Sequence, residues 1–103
     1  MSESDRRKST RITYFCEAEL EGIDVSRLQV RIADLSVEGA FVDARTVLPS
    51  GSVARLRFTV LGKEITVQAE VRYSMPSFGM GMRFLGLSPE SLALIERLIA
   101  EHR

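Results

Sequence analysis

From Tyr14 to Phe84 the apolar residues of this chain recur at alternate positions in short runs, and that period of two limits the available folds more than any other feature. Tyr14, Cys16, Ala18 and Leu20 alternate with Thr13, Glu17 and Glu19, and Phe15 alone interrupts the polar side. Leu28, Val30 and Ile32 alternate with Gln29 and Arg31 in a second run that ends at Asp34. Ala40-Phe41-Val42 makes a third, brief run after Gly39. Ala54, Leu56, Phe58 and Val60 share one face, as do Ile65, Val67, Ala69, Val71 and Tyr73, and Met80, Met82 and Phe84 close the series around Gly81 and Arg83. Turn signals separate the runs at Glu21-Gly22, Pro49-Ser50-Gly51, Gly62-Lys63 and Met75–Gly79. Six short strands joined by tight turns predict an antiparallel sheet that curls until its edges are hidden.

The pattern changes at Ser88-Pro89-Glu90, where a capping hydroxyl, a proline suited to the first helical position and an acid favourable to the dipole announce a helix. Leu92, Ile95, Leu98 and Ile99 then fall on one helical face, which is expected to pack on the barrel. The predicted class is all-β: a six-stranded antiparallel barrel with a C-terminal helix packed on it. At 103 residues the chain supports one core. Residues 1–11 are polar and without period and read as a flexible basic arm, with the barrel and helix over 12–103.

Fourteen Lys and Arg balance fourteen Asp and Glu, so no overall field draws the chain to nucleic acid or anionic lipid. The longest apolar runs are too short to span a bilayer, and no hydrophobic stretch follows the first basic residues; the expectation is a cytoplasmic protein without membrane insertion. Catalysis has little to work with. The single histidine, His102, lies beside the C-terminus, and the single cysteine, Cys16, sits on a strand face. Asp34 and Ser36 lack an intervening base that would activate the hydroxyl. No catalytic residue, metal ligand set or resident cofactor is expected, and the chain is not read as an enzyme.

Two local features point instead to a bound anion. Arg6, Arg7, Lys8 and Arg11 crowd the start of the chain, and the guanidinium fork suits both phosphate and the O6/N7 edge of guanine. The loop Asp34-Leu35-Ser36-Val37-Glu38-Gly39 offers a carboxylate that can accept from guanine N1 and N2, a hydroxyl, and a glycine permitting positive φ or close approach. Taken singly, the first reads as a solvated arm and the second as a polar turn whose Asp and Ser bond their own backbone.

Together, Arg7-Lys8-Ser9-Thr10-Arg11 and Asp34-Leu35-Ser36-Val37-Glu38-Gly39 resemble the RxxxR and (D/N)xSxxG signatures of the PilZ family. Phe41-Val42, Gly51 and Gly79-Met80-Gly81-Met82-Arg83-Phe84 extend the resemblance over nearly the whole chain. It implies a barrel that binds cyclic di-GMP, a bacterial second messenger, and signals to an unidentified downstream protein as its arm reorders. Arg7 and Arg11 would contact guanine edges and phosphates, Asp34 and Ser36 would fix a guanine, and Gly39 would shape the loop. Arg83, on the polar side of the sixth strand, is a candidate further contact. In the family an arginine just before the first signature arginine accompanies a stacked, intercalated ligand dimer, so Arg6 predicts two ligands per chain. The alternatives are an Arg6 that is merely solvated, a PilZ-like adaptor that works through protein contacts without nucleotide, and nonspecific nucleic-acid binding by the arm. The neutral balance and the absence of regularly spaced exposed aromatics oppose a nucleic-acid polymer.

Overall fold

The computed structural model describes residues 10–22 and 27–102. Its strands are β1 (Ile12–Gly22), β2 (Leu28–Leu35), β3 (Gly39–Asp43), β4 (Val53–Val60), β5 (Lys63–Met75) and β6 (Gly79–Leu85), followed by helix α1 (Pro89–Glu101). The strands close into a barrel in the order β1-β2-β3-β6-β5-β4, with every neighbouring pair antiparallel. The seam is the β1–β4 pair, where Ala18 faces Phe58 and Leu20 faces Leu56.

Inward positions fill the barrel. Leu20, Ile32, Leu35, Leu56, Ile65 and Met80 are almost wholly buried and share one core. Each large side chain so placed contributes roughly 1.5–3 kcal/mol relative to exposure. Ser88 caps α1 by accepting from the Ser91 amide, and Ile95, Leu98 and Ile99 join the barrel core. Leu94 packs beside them, whereas Leu92, expected on the buried stripe, is only half-buried. At the far end of α1 the His102 ring meets Tyr14 edge-on at 6.0 Å, while the Tyr14 hydroxyl donates to the Thr59 carbonyl.

The alternation fails at three places, and each is a bulge that re-aims a side chain. On β2, Ile32 pairs with Val42 but Asp34 pairs with Phe41, so β2 carries one residue more than β3. Unbroken alternation would send Asp34 into the core after Ile32; the bulge turns Leu35 inward and leaves Asp34 half-exposed. On β5, Val71 pairs with Met82 and Tyr73 with Gly81, which again inserts one residue. Tyr73, expected to face inward with Val71, is therefore 52% exposed. A third bulge lies between Thr13 and Cys16 on β1, beside the exposed Phe15.

The turn between β4 and β5 also differs from its sequence assignment. Leu61 and Gly62 form it, with φ of 51° and 80°, and Lys63 is already paired with Val60. Two consecutive positive φ values match the twist of a hairpin, and leucine is an unusual occupant of the first position. Among the described residues no helix is long and apolar enough to cross a membrane.

Candidate ligand-binding site

The loop between β2 and β3 is built around one hydroxyl. Ser36, 1% exposed, accepts hydrogen bonds at Oγ from the amides of Glu38 (3.1 Å) and Gly39 (3.2 Å). Its own amide donates to the Gly39 carbonyl at 2.9 Å, and the Glu38 carbonyl accepts from the Phe84 amide at 2.8 Å. This geometry turns the Ser36 side chain into the loop. Of the two freedoms the sequence suggested for Gly39, positive φ is not used and close approach is. A Cβ there would collide with the Met82 carbonyl, so glycine is needed because the loop lies directly against β6.

Asp34 stands at the outward turn made by the β2 bulge. Its Oδ1 accepts from the Phe41 amide at 3.2 Å and from Nη1 of Arg11 at 2.5 Å. Arg11 and Asp34, twenty-three residues apart, thus meet at the surface with both side chains still partly open to solvent. A donor fork and an acceptor thus lie side by side at the surface, bonded to each other. Arg6 and Arg7 lie outside the described residues. Arg83 projects outward from β6 between Gly39 and Glu70, its register partners, and makes no ion pair among the described residues.

Register places Asp34 in a longer array. Thr13, Asp34, Phe41, Gly81 and Tyr73 are successive partners across β1, β2, β3, β6 and β5. The Tyr73 ring lies over Gly81, where any Cβ would strike it, and is stacked with Phe41 at 6.3 Å between centroids and 29° between planes. A cleft of about 200 Å³ lies at the β6–β5 end of this row, lined by Arg11, Glu38, Gly39, Arg72, Tyr73 and Arg83, while Asp34 stands outside its lining. Arg72 and Tyr73 were missed in the sequence because the β5 bulge interrupts a run that otherwise alternates cleanly. The available signal was Gly81, since glycine inside a strand often marks a close approach.

A larger hollow, about 570 Å³, lies elsewhere on the outer surface between Leu28, Arg31, Asp43, Arg45 and Phe78 and contains none of the predicted site residues. Size alone therefore does not select the site; the smaller cleft holds the converging polar groups. Among the described residues no cluster of His, Cys, Asp and Glu could hold a metal ion. Burial, with the Glu17 charge second, pushes the Cys16 thiol up to about 11, which leaves it protonated and unreactive at neutral pH.

A family model of the PilZ domain matches residues 5–101, a span that includes both signature segments. The chain belongs to the PilZ family. Solved PilZ-like structures confirm the fold. The Bacillus subtilis inhibitor of motility MotI/DgrA superposes with a TM-score of 0.75 at 17% identity, covering 89% of this chain and 49% of that one. The PilZ domain of CeSA from a cellulose-synthesizing bacterium gives 0.68 at 20% identity, covering 90% and 97%. The PlzA protein of Borreliella burgdorferi, solved in complex with c-di-GMP, gives 0.66 at 20% identity, covering 96% and 37%. The chain thus spans about half of MotI/DgrA and less of PlzA, but nearly all of the CeSA domain. No curated protein sequence matches it significantly.

Proposed function

We propose that this PilZ chain is a cyclic di-GMP receptor domain of the cytoplasm, acting by binding rather than catalysis. The observation that carries the reading is the Arg11–Asp34 pair at the outward β2 bulge. Guanine offers N1–H and N2–H donors on one edge and O6/N7 acceptors on another, so a carboxylate and a guanidinium set side by side can address one base from both edges. Ser36 supports that presentation by fixing the loop, and Gly39 by letting the loop seat on β6. The crystallised PlzA complex with c-di-GMP, a protein of the same fold, supports the ligand class.

In this proposal Arg7 joins Arg11 on the ligand, Arg6 adds a cation for a stacked second molecule, and the arm changes its order on binding to present a new surface to a downstream protein. Calorimetric titration with cyclic di-GMP, cyclic GMP and single-stranded DNA tests it. The expected result is heat with cyclic di-GMP alone, at about two ligands per chain, falling toward one in Arg6→Leu. A folded protein that gives no heat with cyclic di-GMP overturns the receptor reading in favour of a protein-contact adaptor. A wild-type value of one removes the stacked dimer.

A further inference from the structure

We infer that the hollow between Leu28, Arg31, Asp43, Arg45 and Phe78 is the face by which two copies of this chain associate about a two-fold axis, the Phe78 ring of each seated in the hollow of the other. That face contains none of the predicted ligand contacts, and the inference does not rest on the cyclic di-GMP reading. All six strands close on one another, so among the described residues no strand edge is left to which a second chain could add. Association must therefore run through side chains on an outer face. Fourteen basic and fourteen acidic residues leave the chain with no net charge to hold two copies apart.

Phe78 and Phe15 are the most exposed large apolar residues among those described, at 69% and 61%. A single exposed apolar side chain is ordinary, but these two converge on one hollow. Phe78 lines it, and Phe15 lies 5.2 Å beneath the guanidinium of Arg31, which lines it as well. Phe78 is also held in place. Its amide donates to the Met75 carbonyl at 2.9 Å, and its carbonyl accepts from the Ala44 amide at 3.1 Å. Ser77 before it takes a φ of 72°, a left-handed conformation that residues with a Cβ rarely adopt. An exposed aromatic fixed on its turn beside an open hollow of about 570 Å³ supplies both the anchor and the socket of an interface.

Charge identifies the partner. Glu17, Arg31 and Asp43 are successive register partners across β1, β2 and β3, so the signs alternate along the row. Arg31 and Asp43 pair with each other at 3.0 Å. Glu17 and Arg45 line the same hollow and make no ion pair among the described residues. About a two-fold axis, Glu17 of one copy that meets Arg45 of the other implies the reciprocal pair by symmetry. A face whose opposite charges balance in this way is its own complement, and a second copy brings the matching charges without any further requirement.

Sedimentation velocity of the full chain over a concentration series, without nucleotide, tests this. The wild type is expected to pass from monomer to dimer below about 1 mM, and Phe78→Ala to weaken the association roughly tenfold or more, as loss of an aromatic anchor does. Glu17→Arg and Arg45→Glu each set like charges across the axis and are expected to weaken it as well, while the two together restore the wild-type dimer. All three positions are exposed, and circular dichroism checks that each variant is folded. Restoration by the double variant is a result that damage to the fold cannot produce. A wild type that stays monomeric up to about 1 mM overturns the inference and leaves the hollow to a different protein. Single charge variants that dimerise as the wild type does, or a folded double variant that does not recover, overturn it too.

Discussion

Two outer faces of the barrel treat arginine in opposite ways. Along the β1–β4 seam every arginine has a carboxylate: Arg55 meets Glu21 at 3.5 Å, and Arg57 bridges Glu19 and Glu64, with Glu19 also 4.0 Å from Arg27. The pairs follow from register, since Glu19 faces Arg57 and Glu21 faces Arg55 directly across the seam. The Arg57 hydrogen bond and charge hold the Glu19 carboxyl below its ordinary range. On the β3–β6–β5 face, Arg72 and Arg83 stand beside glycine and aromatic rings with no such partner among the described residues. Ion pairs thus engage the arginines of one side, while Arg72 and Arg83 on the other have none among the described residues, although Glu38 lines the same cleft. Net charge alone would have concealed this.

The largest effect separates the candidate site from the seam: Arg11 is itself paired with Asp34, but beside the β2–β3 loop rather than across β1–β4. Arg11→Ala should lower cyclic di-GMP affinity on the order of a hundredfold, since two charge-assisted hydrogen bonds contribute roughly 1.5–3 kcal/mol each, and Arg7→Ala should act similarly. Arg57→Ala, on the paired face, should change affinity less than about twofold. Equal losses in calorimetric titrations of Arg11→Ala and Arg57→Ala would break the comparison.

Asp34 and Ser36 sharpen it further. Asp34→Ala should weaken binding more than Ser36→Ala, because the carboxylate faces solvent while the hydroxyl is buried in its own loop. Ser36→Ala should instead lower stability by about 1–3 kcal/mol by stranding the Glu38 and Gly39 amides, measured by denaturant unfolding. A Ser36→Ala variant of full stability but poor affinity would place the hydroxyl on the ligand.

Away from the site, strain has no visible use and should be removable. Leu61→Asn relieves a left-handed leucine and should stabilise the protein by about 1 kcal/mol with affinity unchanged. A lower melting temperature would refute this. The smallest effect concerns Cys16. Its thiol is raised from an ordinary 9.0 to about 11 by burial, so the stability gained from keeping it neutral is complete below pH 9 and is lost as pH rises through 11. Tyr14, raised by burial and then by Cys16, adds to the loss above pH 10. Cys16→Ala should flatten the decline between pH 9 and 11 in unfolding measurements.

Strand count, the capped helix and the inward residues other than Tyr73 and Leu92 were legible in the sequence, because each rests on a local period or a capping residue such as Ser88. The meeting of Arg11 with Asp34 was legible only through the family resemblance, since no local rule links positions that far apart. The aromatic row was marked only by Gly81, which signals a close approach within a strand without saying of what. It depends on the β2 and β5 bulges, where one inserted residue changes which side chains face out, and neither Ala33 nor Arg72 marks its strand as bulged. The role of Ser36 lay open between ligand contact and turn-building, and its burial assigns the hydroxyl's visible bonds to the turn.

Closure of the barrel also bears on how the chain acquires its shape. The β1–β4 seam joins Ala18 to Phe58 and Leu20 to Leu56, while β3 must find β6 across both strands of the intervening hairpin. Neither pairing is local, and each requires a long stretch of chain to be drawn together before any contact offsets the lost entropy. The β4–β5 hairpin, by contrast, closes through two residues and can form early. Folding should therefore be slow for a protein this small, in the millisecond-to-second range of barrels dominated by distant pairings, with the seam among the last elements to form.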